Sequence, residues 1–215
     1  MTATIIGATG LIGNYLLEEL LKDDYYDTVR ILVRRPLDIT HPKLEKKLVD
    51  FNDAESFRLA LEGSDVIFCA VGTTQKKVKG DKVAYRKVDY DIPVNAAKLG
   101  RLCGCETFIL VSSIGANSQS NNFYLKLKWE VEEAVKAVGL KSVYIMRPSV
   151  LLGDRKEFRL GEKIGKGLMM ALSFLFPSKY KPIHARDVAK SMVAVAKKNN
   201  EGFFILDYKL LIQYL

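Results

Sequence analysis

Cysteine is scarce in this chain, and what there is fits neither a disulfide framework nor a metal site. Cys69, Cys103 and Cys105 sit in or beside apolar stretches. An odd count without metal-ligand spacing predicts reduced thiols and a cytoplasmic protein. Cys103 and Cys105 are separated by one residue, poor geometry for a disulfide or a zinc clip. Long apolar runs are missing as well. The longest, Leu168–Phe176, is broken only by Ser173. It falls short of the roughly 20 residues that span a bilayer, so no integral membrane segment is expected. No basic leader precedes the first apolar segment, so no signal peptide is expected. There is no internal repeat, linker or low-complexity tract. There is also no helix-turn-helix pattern, zinc finger or RNP motif, which argues against a nucleic-acid partner. The net charge of +8 is spread along the chain except at Arg34-Arg35 and Lys76-Lys77-Val78-Lys79. It serves solubility, or attraction for a phosphorylated ligand.

What is present is an ordinary globular balance, 48% hydrophobic and 27% charged over 215 residues. That length predicts a single domain over 1–215. Short β-branched runs alternate with helical spacing. Strands are expected at Thr4–Ile6, Val29–Val33, Lys47–Val49, Val66–Val71, Thr107–Val111, Ser142–Met146 and Phe203–Leu206. Helices are expected at Leu11–Lys22, Ala54–Leu61, Val83–Leu102, Phe123–Val138 and, as a short tail, Tyr208–Leu215, with Pro93 bending or interrupting the third. The alternation predicts an α/β, doubly wound parallel sheet of the Rossmann type, with helices on both faces. In such sheets ligands bind beyond the carboxyl ends of the strands, so the residues after each strand matter most.

The first of these turns is Gly7-Ala8-Thr9-Gly10-Leu11-Ile12-Gly13. Glycines between a first strand and a first helix let the backbone turn tightly and approach a pyrophosphate, which the helix N-terminus attracts. After the second strand an NAD enzyme usually carries an acid for the ribose 2′-hydroxyl. Here Arg34-Arg35 stand instead. Guanidinium groups suit a 2′-phosphate, which favours NADP(H) over NAD(H). The alternative is two surface arginines before a turn containing proline. Asp50-Phe51, after the third strand, are placed to flank the adenine, and Val71-Gly72-Thr73 follow the fourth.

Ser112-Ser113 close the fifth strand, and eleven residues past Ser113 comes Tyr124, followed by Lys128. Residues four apart share a helix face. A free phenol has a pKa of about 10, too high for proton transfer at neutral pH, and a nearby ammonium lowers it. Tyr124 is therefore a candidate general acid and base, Lys128 its activator and a ligand for the nicotinamide ribose, and Ser113 a donor to the reacting oxygen. Ser112 is expected on the cofactor side. The same spacing also suits an amphipathic surface helix with a partly buried tyrosine.

Together these residues resemble the short-chain dehydrogenase/reductase superfamily in its atypical or extended form, nearest the Tat-interacting-protein oxidoreductase branch. The resemblance rests on Gly7–Gly13, on Val111-Ser112-Ser113-Ile114-Gly115-Ala116 and on Phe123-Tyr124 with Lys128, Val131 and Glu132. It continues through Arg147-Pro148-Ser149-Val150-Leu151-Leu152-Gly153 with Arg155, and through His184-Ala185-Arg186-Asp187-Val188-Ala189. It implies that Ser113, Tyr124 and Lys128 are catalytic, and that backbone around Pro148 and Val150 lies by the nicotinamide. One position departs from the pattern. Many members carry Asn on the helix after the fourth strand, used in a proton relay, and Asp89 stands there. No relay role is carried over to it.

Beyond Gly153 the regular alternation stops. The segment 153–182 reads as a substrate-side insertion, containing Gly161, Gly165, Gly167 and the Leu168–Phe176 tract. That tract is either a helix packed on the body, a lid over an apolar substrate, or a contact with a second copy or a membrane surface. Lys76–Lys82 borders the same mouth, either drawing in an acidic substrate or forming a solvated loop. The expected function is NADP-dependent hydride transfer with a small carbonyl or alcohol. The alternative is an NADPH-binding regulatory or scaffold protein with little or no turnover.

Overall fold

The computed structural model describes residues 1–153, 180–198 and 200–215. Among them, seven parallel strands form one sheet: β1 (Thr2–Ile6), β2 (Thr28–Val33), β3 (Leu44–Leu48), β4 (Val66–Cys69), β5 (Thr107–Val111), β6 (Ser142–Met146) and β9 (Gly202–Leu206). Their order across the sheet is β3-β2-β1-β4-β5-β6-β9. The chain starts in the middle and winds out in both directions, which is the Rossmann arrangement. A two-stranded parallel piece, β7 (Leu151–Leu152) with β8 (Ile183–His184), stands apart.

The helices cover both faces. Helices α1 (Leu11–Leu21) and α6 (Ala185–Ala196) pack on one, where Ile5, Leu16, Leu20, Phe68, Val188 and Met192 form the core. Helices α2 (Ala54–Leu61), α4 (Ile92–Leu102) and α5 (Phe123–Val138) pack on the other, around Phe57, Ile67, Ala97, Phe108 and Val131. The middle strands are buried on both sides, so they read as continuous apolar runs. β3 does not. Its sequence Leu-Glu-Lys-Lys-Leu is half exposed at the sheet edge, where charged side chains discourage pairing with another chain. It therefore lies three residues upstream of the expected start, because an edge strand is set by its backbone pairing with β2 rather than by a buried face.

The expected helix over Val83–Leu102 is divided. Helix α3 (Lys82–Arg86) runs into a π-helical turn, Lys87–Asp91, and then into α4. Pro93 lacks an N–H, and its ring would press on the carbonyl of Asp89 four residues back. The wider turn relieves that conflict. β4 also ends two residues early, at Cys69, where the chain passes against the turn after β1. At the C-terminus, α7 (Tyr208–Leu211) follows β9 and closes in a 3₁₀ turn, Ile212–Tyr214. Arg155, Gly161, Gly165, Gly167 and the Leu168–Phe176 tract lie outside the described residues. Because all the strands of the main sheet are parallel, the segments after β1 to β6 gather along one edge, and the site is built there.

Candidate active site

The turn after β1 is shaped by contacts that admit no side chain. Gly7 has φ +93°, and a Cβ on it would sit 2.7 Å from the Val71 nitrogen. A Cβ on Gly13 would overlap the Gly7 carbonyl oxygen and lie 2.7 Å from its carbon. Gly10 donates its N–H to the Gly7 carbonyl at 2.9 Å and caps α1 in an extended conformation, with no side chain over the helix end. The first-turn amides of Leu11, Ile12 and Gly13 therefore have no intrahelical carbonyl to bond, which makes this end a ready anion cradle. Thr9 is exposed beside it, Leu11 is half-buried and Ile12 is buried.

Further along the same edge lies a cavity of about 660 Å³, lined by Arg34, Asp50, Phe51, Lys87 and Val88 among others. It lies between the ends of β2 and β3 and the π-turn. Arg35 is exposed and is not part of its wall. Phe51 packs edge-on against Phe57, with ring centroids 4.9 Å apart. Asp50 accepts hydrogen bonds from the Asn52 N–H and side-chain amide, both at 2.9 Å, and these hold its carboxyl below the usual range. Lys87, Asn52 and Asp91 are cavity residues that the sequence reading missed. Lys87 and Asp91 belong to the π-turn, which a helical pattern does not reveal.

At the other end, Asn122 caps α5 by accepting from the N–H of Tyr124 at 2.9 Å. This sets Tyr124 in the first turn, half-buried, with Lys128 one turn on. Lys128 is 5% exposed, and its Nζ lies 5.7 Å from the centre of the Tyr124 ring. Among the described residues the Tyr124 hydroxyl has no hydrogen-bond partner. Tyr85 packs edge-on against Tyr124 at 6.5 Å and donates its hydroxyl to the Thr73 carbonyl at 3.3 Å. Behind Lys128 lies Asp89, 1% exposed, with Oδ1 at 3.0 Å from Nζ. Its Oδ2 accepts the Thr73 N–H at 2.7 Å. Burial pushes the Lys128 ammonium down. The Asp89 carboxylate, with Tyr124 adding to it, more than offsets this, so the lysine stays above its ordinary range. Val71 is half-buried and Gly72 exposed, and a Cβ on Gly72 would come within 3.5 Å of Asp89 Oδ1.

The two serines after β5 face different partners. The buried Ser112 hydroxyl donates to Glu132, which is 1% exposed and also accepts from Arg147 Nε at 3.0 Å. Ser113 is half-buried and donates to the Ile114 carbonyl at 3.3 Å. The Ile114 N–H in turn donates to the Pro148 carbonyl at 3.0 Å, and the Val150 carbonyl accepts from Ile183 at 3.0 Å. The first bond ties the segment after β5 to the segment after β6, and the second ties the latter to β8. Glu132 continues the four-residue spacing of Tyr124 and Lys128, a signal present in the sequence. Its partner Arg147 becomes visible only once β5 and β6 are neighbours.

Comparison with known proteins agrees with this geometry. The profile of the NAD(P)H-binding family matches residues 7–199, and the chain belongs to that family. Protein HTATIP2 of Rattus norvegicus is 35% identical over 179 residues, covering 82% of this chain and 73% of the relative. Protein FMP52, mitochondrial, of Candida albicans is 32% identical over 208 residues, covering 94% and 90%. That of Debaryomyces hansenii is 36% identical over 203 residues, covering 92% and 88%. Among solved structures, MoeE5 in complex with UDP-glucose and NAD superposes with a TM-score of 0.74 at 16% identity, over 99% of this chain and 80% of that one. UDP-glucose 4-epimerase from Thermotoga maritima gives 0.73 at 14%, over 99% and 82%. These structures support the fold, and the relatives support the atypical short-chain dehydrogenase/reductase branch.

The comparisons also correct one expectation. The cytoplasmic location is contradicted by the FMP52 relatives, which are named mitochondrial. All three cysteines are free thiols, two of them buried. Reduced thiols separate reducing from oxidising compartments but do not tell one reducing compartment from another. No helix among the described residues is long and apolar enough to cross a membrane.

Proposed function

We propose that this member of the NAD(P)H-binding family is an NADP(H)-dependent oxidoreductase that moves a hydride between the cofactor and a small carbonyl or alcohol. The observation that carries the reading is Tyr124, half-buried one helical turn before a buried lysine whose charge is balanced by Asp89. A protein that only senses a nucleotide needs the glycine turn and the arginines, but has no use for a phenol held there.

The residues present fit the cofactor, since the turn at Gly7 and Gly13 is a cradle that any Cβ would fill. In this reading Gly7, Thr9, Gly10 and the amides of Leu11, Ile12 and Gly13 hold the pyrophosphate. Arg34 and Arg35 take the 2′-phosphate, and Asp50 and Phe51 flank the adenine. Val71, Gly72, Thr73, Ser112, Pro148 and Val150 border the path to the nicotinamide. Lys128 has three donors, of which Asp89 takes one, leaving two that would bond the nicotinamide ribose. The bound cofactor supplies the hydride in reduction and receives it in oxidation. Tyr124 gives a proton to the carbonyl oxygen in reduction and takes one from the alcohol in oxidation. Lys128 stabilises the charge that develops on the phenol oxygen, and Ser113 bonds the reacting oxygen.

The test is NADPH consumption across a panel of aldehydes and ketones, comparing the native protein with Tyr124→Phe. Loss of a general acid is expected to lower turnover by about 10²–10⁴-fold, with NADPH affinity retained. Equal turnover in the two would remove Tyr124 from the chemistry. NADPH binding without turnover on any substrate would favour the regulatory alternative.

A further inference from the structure

We propose that Asp89 is the positioning residue of this site, holding Lys128 as a buried ammonium beside Tyr124 and linking it through the Thr73 amide to the loop after β4. The inference rests on the reading of Tyr124 and Lys128 as an acid–base pair. It assigns a role to a residue for which family likeness supplies none.

Three observations converge on Asp89. It is the buried residue of the π-turn Lys87–Asp91, while Lys87 and Asp91 on either side are exposed. π-Turns inside helices often mark functional positions, and this one is enforced by Pro93. Second, its two oxygens are divided between elements: Oδ1 to Lys128 on α5 at 3.0 Å, and Oδ2 to the Thr73 N–H at 2.7 Å. Third, Lys128 is itself buried, only 5% exposed, so the charge that Asp89 meets is shielded from water.

In this chain, replacing Asp89 by asparagine would remove the carboxylate paired with the Lys128 ammonium at 3.0 Å. Withdrawing an ammonium from water costs several kcal/mol without a counter-charge, so a lone buried lysine sheds its proton instead. The groups facing Lys128 identify the source of that counter-charge. Cys69 approaches from β4, but burial pushes its thiol up to about 12 and keeps it neutral. Tyr124 faces it from its own helix. Glu132, one turn further along, is committed to Arg147 and Ser112. Tyr85, from α3, packs on Tyr124. Asp89 remains as the charge paired directly with the ammonium. It fixes both the position and the protonation of Lys128 while leaving Tyr124 to meet substrate.

The experiment follows the Lys128 side chain by NMR in protein labelled at lysine Cε, with its signal assigned by loss in Lys128→Arg. In the native protein the titration midpoint is expected above the ordinary lysine value of 10.5. A midpoint below that value overturns the proposal without recourse to any variant. In Asp89→Asn, folded by circular dichroism, the midpoint is expected to fall by about 1–3 pH units, the usual effect of losing an opposite charge at this range. An unchanged midpoint also overturns it. A purely structural role for Asp89 would leave the midpoint of a folded variant where it was. NADPH titration of the same native sample is independent. If NADPH fails to bind, the cofactor reading falls, while the Lys128 midpoint still decides the role of Asp89.

Discussion

Asp89 and Lys128 form an ion pair with 3.0 Å between Oδ1 and Nζ and side chains only 1% and 6% exposed. Neither charge has water to fall back on. Breaking such a pair by removing one partner typically costs about 3–5 kcal/mol, because the survivor is left buried and unpaired. Lys128→Met is therefore expected to lower stability by that order in urea unfolding. Adding Asp89→Leu to it should recover part of the loss. A single variant as stable as the native protein would mean that the pair is not buried as described.

The same pair sets a pH dependence. The folded-state pKa of Lys128 is raised above 10.5, the Asp89 carboxylate and Tyr124 outweighing burial. A raised pKa contributes stability that is fully present below the unfolded value and is lost as pH rises through the folded one. The native protein is expected to lose stability above pH 10.5 that Lys128→Met does not lose. Parallel alkaline unfolding curves for the two would contradict this.

Behind the site, Glu132 is 1% exposed and bonded to both Ser112 and Arg147. Arg147→Met leaves that carboxylate with Ser112 alone. The expected cost is again about 3–5 kcal/mol, read by thermal or urea unfolding. Hydrogen exchange should also quicken at Ser112 and Ile114, whose amides bond the segment after β6 or its strand.

The glycine turn gives a matched pair. Gly13→Ala places a Cβ on the Gly7 backbone, which cannot swing away, whereas a Cβ on Gly63 meets open space. Gly63 has φ +70°, so Gly63→Ala still carries the left-handed penalty of about 1–2 kcal/mol. It should keep full NADPH affinity. Gly13→Ala is expected to lose at least about tenfold in affinity, which is 1.4 kcal/mol. Equal affinities in the two variants would show that the turn is not the cofactor cradle.

The sequence made the centre of the fold legible because β1, β4 and β5 are buried on both faces and therefore mostly apolar, with Thr4 and Thr107 the buried exceptions. β3 was harder to place, since its Glu45, Lys46 and Lys47 follow the solvent at a sheet edge. The placement of Arg34 just after β2, and of Tyr124 and Lys128 one turn apart on α5, follows from the sequence pattern. The part of the cavity wall on the π-turn was not, because Lys87 and Asp91 sit in an ordinary helical pattern until Pro93 forces a wider turn. In the sequence Asp89 stands out only as a departure from a family pattern. Its partners, Thr73 and Lys128, are 16 and 39 residues away and meet it only through the sheet.

The most direct test of the account is calorimetric titration of the native protein and Arg34→Ala with NADPH and NADH. Arg34 lines the cavity beside Asp50 and Phe51, while Arg35 does not. NADPH should bind the native protein more tightly than NADH. Arg34→Ala should erase most of that preference, a loss of about 1.5–3 kcal/mol for charge-assisted bonds to a phosphate, with Arg35→Ala doing less. Binding of neither cofactor, or equal binding of both by the native protein, would contradict the account.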